Sequence, residues 1–359
     1  MSISTDTKKL SNVLLAQGLD QLVRPAQVFR AEKGRIRCLA CGHCCLLREN
    51  QRGICQVRFV RQEKLWAPHG YVCGLNCDPV EKKPFFHVYP GSTALTFGMI
   101  GCNLRCGFCQ NWISTQALLH ETIMPSINRI DAAEIVQFGW QNRVQLIVSS
   151  YNEPMITAEW ASEIFLRAHA SGIACAMVSN GFASPEVLTY IGPGLDALKI
   201  DLKCFREPSY RSLGGRLKPV IETIQLAKKL GLWLEIVTLL IPGFNSEDSE
   251  LRAMAQFIKT VDSNIPWHIT AFHPDYQMTS ARNTTAAELI HAVEIGREEG
   301  LNFVYAGNLP GRTGSFENTQ CPYCHMVLVE RRGYLIMACR LDSSGKCPRC
   351  NKSIPGLWS

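Results

Sequence analysis

Seven apolar runs, interleaved with amphipathic segments, set the limits on what residues 92 to 307 can form. "STALTFG" (92–98), "VQLIVSS" (144–150), "IACAMVS" (173–179), "DALKID" (196–201), "LWLEIVTLLI" (232–241) and "WHITAF" (267–272) read as strands, with "LNFVYAG" (301–307) as a candidate seventh. Runs without polar alternation leave neither face for water, which predicts a parallel sheet covered on both sides. Helix-start signals stand between them. Asp131 precedes "AAEIVQF", and Thr157 precedes a segment with Trp160, Ile164 and Phe165 on one side. Ser184-Pro185 places a cap before a first-turn proline, and Ser246 precedes Leu251, Met254 and Ile258. Thr285 with Glu288 forms a capping box. Six strand–helix repeats predict an α/β fold, either an open barrel or a doubly wound sheet.

A polar or glycine-rich loop follows each strand. In order these are a cysteine loop, "YNEP", "SNGF", "DLK", "PGFN" and "HPDY". The C-terminal ends of barrel strands are where α/β barrels build their sites.

Seventeen cysteines are present, an odd number, and the N-terminus lacks the apolar block of a secretory signal. Metal ligation in a reducing cytoplasm is therefore expected rather than disulfides. "MSISTDTKKLSNVLLAQGLD" reads as an amphipathic helix with Leu10, Val13, Leu14, Leu19 and Leu22 on or near one face. No apolar run is long enough to cross a membrane. The net charge of +6 is mild, and no aromatic–basic interleaving argues for nucleic acid.

The thiols are clustered. "GCNLRCGFCQNW" (101–112) carries Cys102, Cys106 and Cys109 on one short loop. A [4Fe–4S] cube normally takes four thiolates, so three leave one iron open to a substrate, whereas structural zinc closes on four ligands. Cys321, Cys324, Cys347 and Cys350 form two C-x2-C knuckles joined by a hairpin-like segment that includes Cys339. That pattern predicts a zinc-ribbon or rubredoxin-like module, with Zn2+ as a structural ion or iron as an electron relay. Cys38, Cys41, Cys45 and Cys55 suggest a further metal site, zinc or iron–sulfur, with His43 as a ligand or, as is more expected, a residue supporting the ligands or lying at the surface. Cys44, Cys73, Cys77, Cys175 and Cys204 read as free thiols.

C-x3-C-x2-C after the first strand, with Phe108 before the last cysteine, resembles the radical S-adenosylmethionine superfamily. The order of "CLACGHCCLLRENQRGICQVR", "DPVEKKPFFHVYPGS", the cysteine loop and a "CPYC…CPRC…IPGLW" tail is similar to the AmmeMemoRadiSam-system radical SAM enzymes. That branch is close to the pyruvate formate-lyase activating enzymes. The resemblance implies a partial (β/α)6 TIM-like barrel, a [4Fe–4S] cluster and S-adenosyl-L-methionine. It implies reductive cleavage to a 5′-deoxyadenosyl radical that takes hydrogen from a small molecule or a partner protein. Glu153 and Pro154 match the family's Gly-Gly-Glu-Pro, with Tyr151 and Asn152 in place of both glycines. Ser179, Asn180 and Gly181 match Thr-Asn-Gly, although Val178 stands where activases carry an acid. Asp201 and Lys203 match "DLK", and the resemblance gives Lys203 the S-adenosylmethionine carboxylate. His273 falls where activases hold a histidine near substrate. The implied partners are a flavodoxin or ferredoxin electron donor and Memo-like and AMMECR-like proteins.

Three segments are expected: an N-terminal helix with a Cys-rich extension (1–91), the barrel (92–310) and the C-terminal module (311–359). The competing class is an iron–sulfur electron-transfer or zinc-stabilised interaction protein without radical chemistry.

Overall fold

The computed structural model describes residues 13–120 and 123–358. All seven apolar runs become strands, and an eighth strand joins them. We number them β1 (Gly74–Pro79), β2 (Thr93–Gly98), β3 (Leu146–Ser149), β4 (Ala174–Ser179), β5 (Ala197–Asp201), β6 (Trp233–Leu240), β7 (Trp267–Ala271) and β8 (Val304–Gly307). They follow one another across a single sheet in chain order, with β8 and β1 as its edges. Strands β2 to β8 are parallel, and β1 runs antiparallel to β2. This is the expected α/β partial barrel, widened at one edge.

The helices are α1 (Ala132–Gln141), α2 (Ala158–Ala170), α3 (Pro185–Ile191), α4 (Leu217–Lys229), α5 (Asp248–Val261) and α6 (Ala286–Glu298). Capping boxes start α1 at Asp131/Glu134 and α6 at Thr285/Glu288, and the Ser184 hydroxyl accepts from the Val187 N–H to start α3. Two of the expected caps fail. The Thr157 hydroxyl donates to the Pro154 carbonyl instead of capping α2, and Ser246 accepts from the Gly243 N–H while Glu247 takes the cap of α5. Burial of Trp160, Ile164 and Phe165 on α2, and of Leu251, Met254 and Ile258 on α5, fixes these helices despite weak starts.

At the amino ends of the strands the interior is closed by residues around Phe86 and His87 and by the C-terminal tail, with Val88 bridging Leu357. Buried Glu235 on β6 organises this floor. Its carboxylate accepts from the Phe86 N–H (3.0 Å), the His87 N–H (2.9 Å), Trp233 Nε1 (3.0 Å) and His268 Nε2 (2.6 Å). Burial alone would raise its pKa, but the bond to His268 and the neighbouring imidazoles hold it below the ordinary value.

The N-terminal extension forms two small antiparallel sheets. Residues 13–19 are helical, with Leu15 and Leu19 buried but Val13 and Leu14 exposed. The expected apolar face is thus rotated, because Leu15 rather than Leu14 meets the core; Leu10 lies outside the described residues. In the C-terminal module, Val327–Arg332 and Leu335–Cys339 form a hairpin paired with Thr319–Gln320. Among the described residues no helix is long and apolar enough to cross a membrane.

Glu235→Ala leaves four buried donors without an acceptor, at a cost of about 3–5 kcal/mol. Glu235→Gln retains part of the set and loses less. Urea denaturation of the metal-free proteins checks this; a loss under about 1 kcal/mol for the alanine variant would refute the floor's dependence on this carboxylate.

Candidate active site

The loop after β2 turns at Gly101 (φ 103°), where a Cβ would stand 2.9 Å from Val57 and 3.1 Å from the Cys55 carbonyl. Only glycine allows the cluster loop to press so closely on the N-terminal extension. Beyond it Asn103 is a buried tie. Its amide donates to the Phe182 carbonyl (3.0 Å), its side-chain oxygen accepts from Asn180 Nδ2 (2.7 Å), and its backbone carbonyl pairs with His43 Nε2 (2.8 Å). His43 thus supports the loop from the extension through Nε2. Phe108 is buried against Phe244.

Cys102, Cys106 and Cys109 line one wall of a cavity of ≈410 Å³ at the carboxyl ends of the strands. Glu153, Ser179, Asn180, Asp201 and Lys203 line the same cavity, so all but one of the expected cofactor-contact residues converge with the thiols. Gly181 does not line it. Gly181 instead takes φ 71°, where a Cβ would meet Ile200 at 2.7 Å, so it shapes the turn that presents Asn180.

Glu153 joins two loops. Its carboxyl accepts from the Ser179 hydroxyl (2.7 Å), the Asn180 N–H (2.8 Å) and the Met155 N–H (3.1 Å). Burial outweighs these donors and pushes its pKa up to about 7. Asp201, at the end of β5, pairs with Lys199 (2.5 Å) and Lys203 (3.2 Å). Against burial, the two ammonium groups hold Asp201 down at about 2. Burial opposes the charge on Lys203, but Asp201, Cys106 and Cys109 hold its pKa above the ordinary value. Burial pushes the Cys106 thiol up to about 11 and Cys102 further. Thiols in this state ionise on binding a metal rather than alone.

His273 is exposed, bonds to Gln110 (2.9 Å), and lines a second cavity of ≈470 Å³ rather than the first. The two cavities share Pro84, Gln110, Thr270, Asn308 and Tyr334. His268, Glu317 and Arg332 are ionisable groups that line the second one beside His273, among mostly apolar neighbours. Sequence reasoning missed Tyr334, which the C-terminal hairpin delivers to both cavities, and Tyr151, whose ring lies 5.0 Å from Lys83 Nζ in the wall of the first.

Sulfur spacing separates the metal sites. Cys321, Cys324, Cys347 and Cys350 hold all four sulfurs within 4.8 Å of one another, with pairs at 3.6 Å. Zn–S bonds of about 2.3 Å place tetrahedral thiolates about 3.8 Å apart, so this module suits one ion. Among the described residues, Cys102, Cys106 and Cys109 form no such tight group. One ion would draw them together, whereas a cube puts each thiolate on a different iron and does not ask for that contact. The remaining tight trio, His169, Cys175 and Asp196, is a hydrogen-bonded clasp: one Asp196 oxygen already accepts from His169 (2.8 Å) and the Cys175 N–H (2.7 Å). Cys73 donates to the Met99 carbonyl, Cys204 is buried, and Cys77 and Cys339 are exposed.

The family model described as the radical SAM superfamily matches residues 98–258. An uncharacterized protein of Methanocaldococcus jannaschii is 34% identical over 328 residues, covering 90% of this chain and 96% of the relative. A protein of the same organism, named for glycyl-radical enzyme activation, is 26% identical over 186 residues, 48% of this chain and 72% of that one. The crystal structure of a radical SAM methyltransferase from Sphaerobacter thermophilus shares the fold with a TM-score of 0.50 at 13% identity, over 87% of each chain.

Glu153 makes the cluster-free protein pH-sensitive. Its folded pKa of about 7 exceeds the model-peptide 4.5, so the folded state binds more protons between those values and stability falls as pH rises through them. Glu153→Gln removes this slope and gains up to about 3 kcal/mol on the wild type between pH 4.5 and 7.5. Urea titrations at the two ends check it; parallel pH profiles for the two proteins would overturn the assignment.

Proposed function

Because the chain belongs to the radical SAM superfamily, whose members are enzymes of radical chemistry, we propose that it abstracts hydrogen from a small molecule or a partner protein in the manner of an activating enzyme. The observation that carries this reading is one cavity wall shared by three thiols, a buried carboxyl and a lysine–aspartate pair. Cys102, Cys106 and Cys109 would hold a [4Fe–4S] cluster, and Glu153, Ser179, Asn180, Asp201 and Lys203 would hold S-adenosylmethionine. When bound and reduced, the cluster supplies the electron that cleaves S-adenosylmethionine to methionine and a 5′-deoxyadenosyl radical.

The chain's own residues bind and orient. Lys203 brings a fixed positive charge beside Cys106 and Cys109, suited to a carboxylate ligand at the open iron. Asp201 keeps that lysine charged and aimed. The Glu153 carboxyl ties the turn at Asn180 to the loop after β3, so both approach a bound ligand as one unit. Tyr334 and Asn308, common to both cavities, stand between the cofactor space and the chamber of His273, Arg332 and Glu317, where substrate would enter. The relative named for glycyl-radical enzyme activation supports a partner protein as the hydrogen donor. A flavodoxin or ferredoxin would supply the electron, and Memo-like and AMMECR-like proteins are the partners the sequence order favours.

Anaerobic reconstitution, reduction and assay of 5′-deoxyadenosine test the proposal. The wild type is expected to release it, and Cys106→Ala to fall to background. Lys203→Ala is expected to weaken S-adenosylmethionine binding by roughly tenfold or more, the loss of one charge-assisted bond. A reconstituted cluster whose paramagnetic resonance is unchanged by S-adenosylmethionine, with no 5′-deoxyadenosine formed, would sink it.

A further inference from the structure

Cys38, Cys41, Cys45 and Cys55 lie outside the cavity described above, yet they converge. Cys38, Cys41 and Cys55 are buried and Cys45 is half-buried. The Cys41 thiol is raised by burial and then by the nearness of Cys38, Cys55 and Cys45. A Cβ on Gly53 would stand 3.7 Å from the sulfurs of both Cys45 and Cys55, so these two border the same glycine. Backbone N–H groups of His43, Ile54, Val57 and Arg58 serve the thiols of Cys41, Cys45 and Cys55. Cys44 is turned out of the set, donating to the Cys41 carbonyl.

We propose that these four thiolates hold a second [4Fe–4S] cluster. Two independent observations carry this. The first is spacing: among the described residues no three of these sulfurs fall within 4.8 Å of one another, whereas the four at the C-terminus do. One chain thus contains a set drawn together for a single ion and another that is not, which argues against a single zinc at Cys38, Cys41, Cys45 and Cys55 and for a centre that puts each thiolate on its own iron. The second is Arg58. It is 1% exposed, and its outer nitrogens are taken by Glu159 (2.7 Å each) and the Ile156 carbonyl (3.1 Å). Its Nε–H has no acceptor, although the group lies close to Cys38 and Cys55. A buried guanidinium donor left open beside thiolates is matched by an anionic acceptor such as a bridging sulfide or a metal-bound thiolate. The site also touches the first cluster loop directly. The Ile54 carbonyl accepts from Arg105 (2.5 Å), and Gly101 packs on the Cys55 carbonyl.

Acid-labile sulfide discriminates this site from zinc and from a rubredoxin-like iron at the C-terminus, neither of which carries any. The variant Cys102→Ala/Cys106→Ala/Cys109→Ala, purified without oxygen, is expected to retain about four sulfides per chain. It lacks the thiols of the first cluster, so the result does not depend on the proposed activity. No labile sulfide, or zinc in its place, would overturn the second cluster. Should that variant fail to fold, Cys38→Ala/Cys55→Ala is compared with the wild type. A fall of about four sulfides per chain supports the proposal, and an unchanged content refutes it.

Discussion

Burial of sulfur, which opposes ionisation of the thiols that face the cavity, is the constraint around which the charged groups of this structure are arranged. Cys102 and Cys106 are enclosed deeply enough that burial alone raises their thiols, and the same holds for Cys41 and Cys55. Burial by itself does not call for a metal, since Cys175 and Cys204 are buried and raised in the same way as neutral thiols; what burial sets is that an ionised thiolate at these positions needs a cation beside it. The fixed charges nearby follow the same logic. Lys203 stands beside the first set and Arg58 beside the second, each held by one acid, Asp201 and Glu159.

The barrel meets this constraint by dividing its strands between two tasks. The amino ends are sealed around Glu235, a carboxylate that collects donors from one loop and two strands and ties them into the floor. The carboxyl ends stay open, and successive loops contribute thiols, the Glu153 carboxyl, the Asn180 turn and the Asp201–Lys203 pair to one cavity. Rigid strands below and cross-linked loops above hold reactive groups in register. The Asn103–Asn180–Phe182 bonds are the most direct example, since they lock the cysteine loop to the loop two strands away.

The parts legible in the sequence were those with a local signature. Unbroken apolar runs located β2 to β8 because a strand covered on both faces leaves no other pattern. The strand β1 escaped because "GLNCDP" carries little apolar content, and its place is set by pairing with β2 rather than by burial. Helix α4 gave no start signal, and Arg216 at its cap donates to the Gly42 carbonyl (2.7 Å) rather than capping the helix; the burial of Val220, Ile224 and Ala227 stabilises it instead. Glu235, Arg58 and Tyr334 were invisible for a different reason. Each acts on residues 90 or more positions away, or in a cavity formed by distant segments, and no short window contains both sides of such a contact.

Tyr151 shows how a lost motif is compensated in three dimensions. The superfamily pattern puts glycines just before the Glu153 position, and here an aromatic residue takes the left-handed conformation at φ 70°. For a bulky side chain that backbone is strained by about 1–3 kcal/mol. The glycines reappear on the neighbouring strands. Gly74 and Gly98 are register partners across β1 and β2, and both abut the tyrosine. A Cβ on Gly98 would stand 2.8 Å from the Tyr151 Cβ, and one on Gly74 would stand 3.3 Å from its ring. The slot they leave admits the ring, and Asn76 (3.2 Å) and Lys83 (3.3 Å) anchor its hydroxyl. Glycine on the paired strands thus supplies the room that a bulky residue in the loop requires. The ring so held adds an aromatic wall to the cavity beside the Glu153 carboxyl, whose bond to Ser179 it leaves in place.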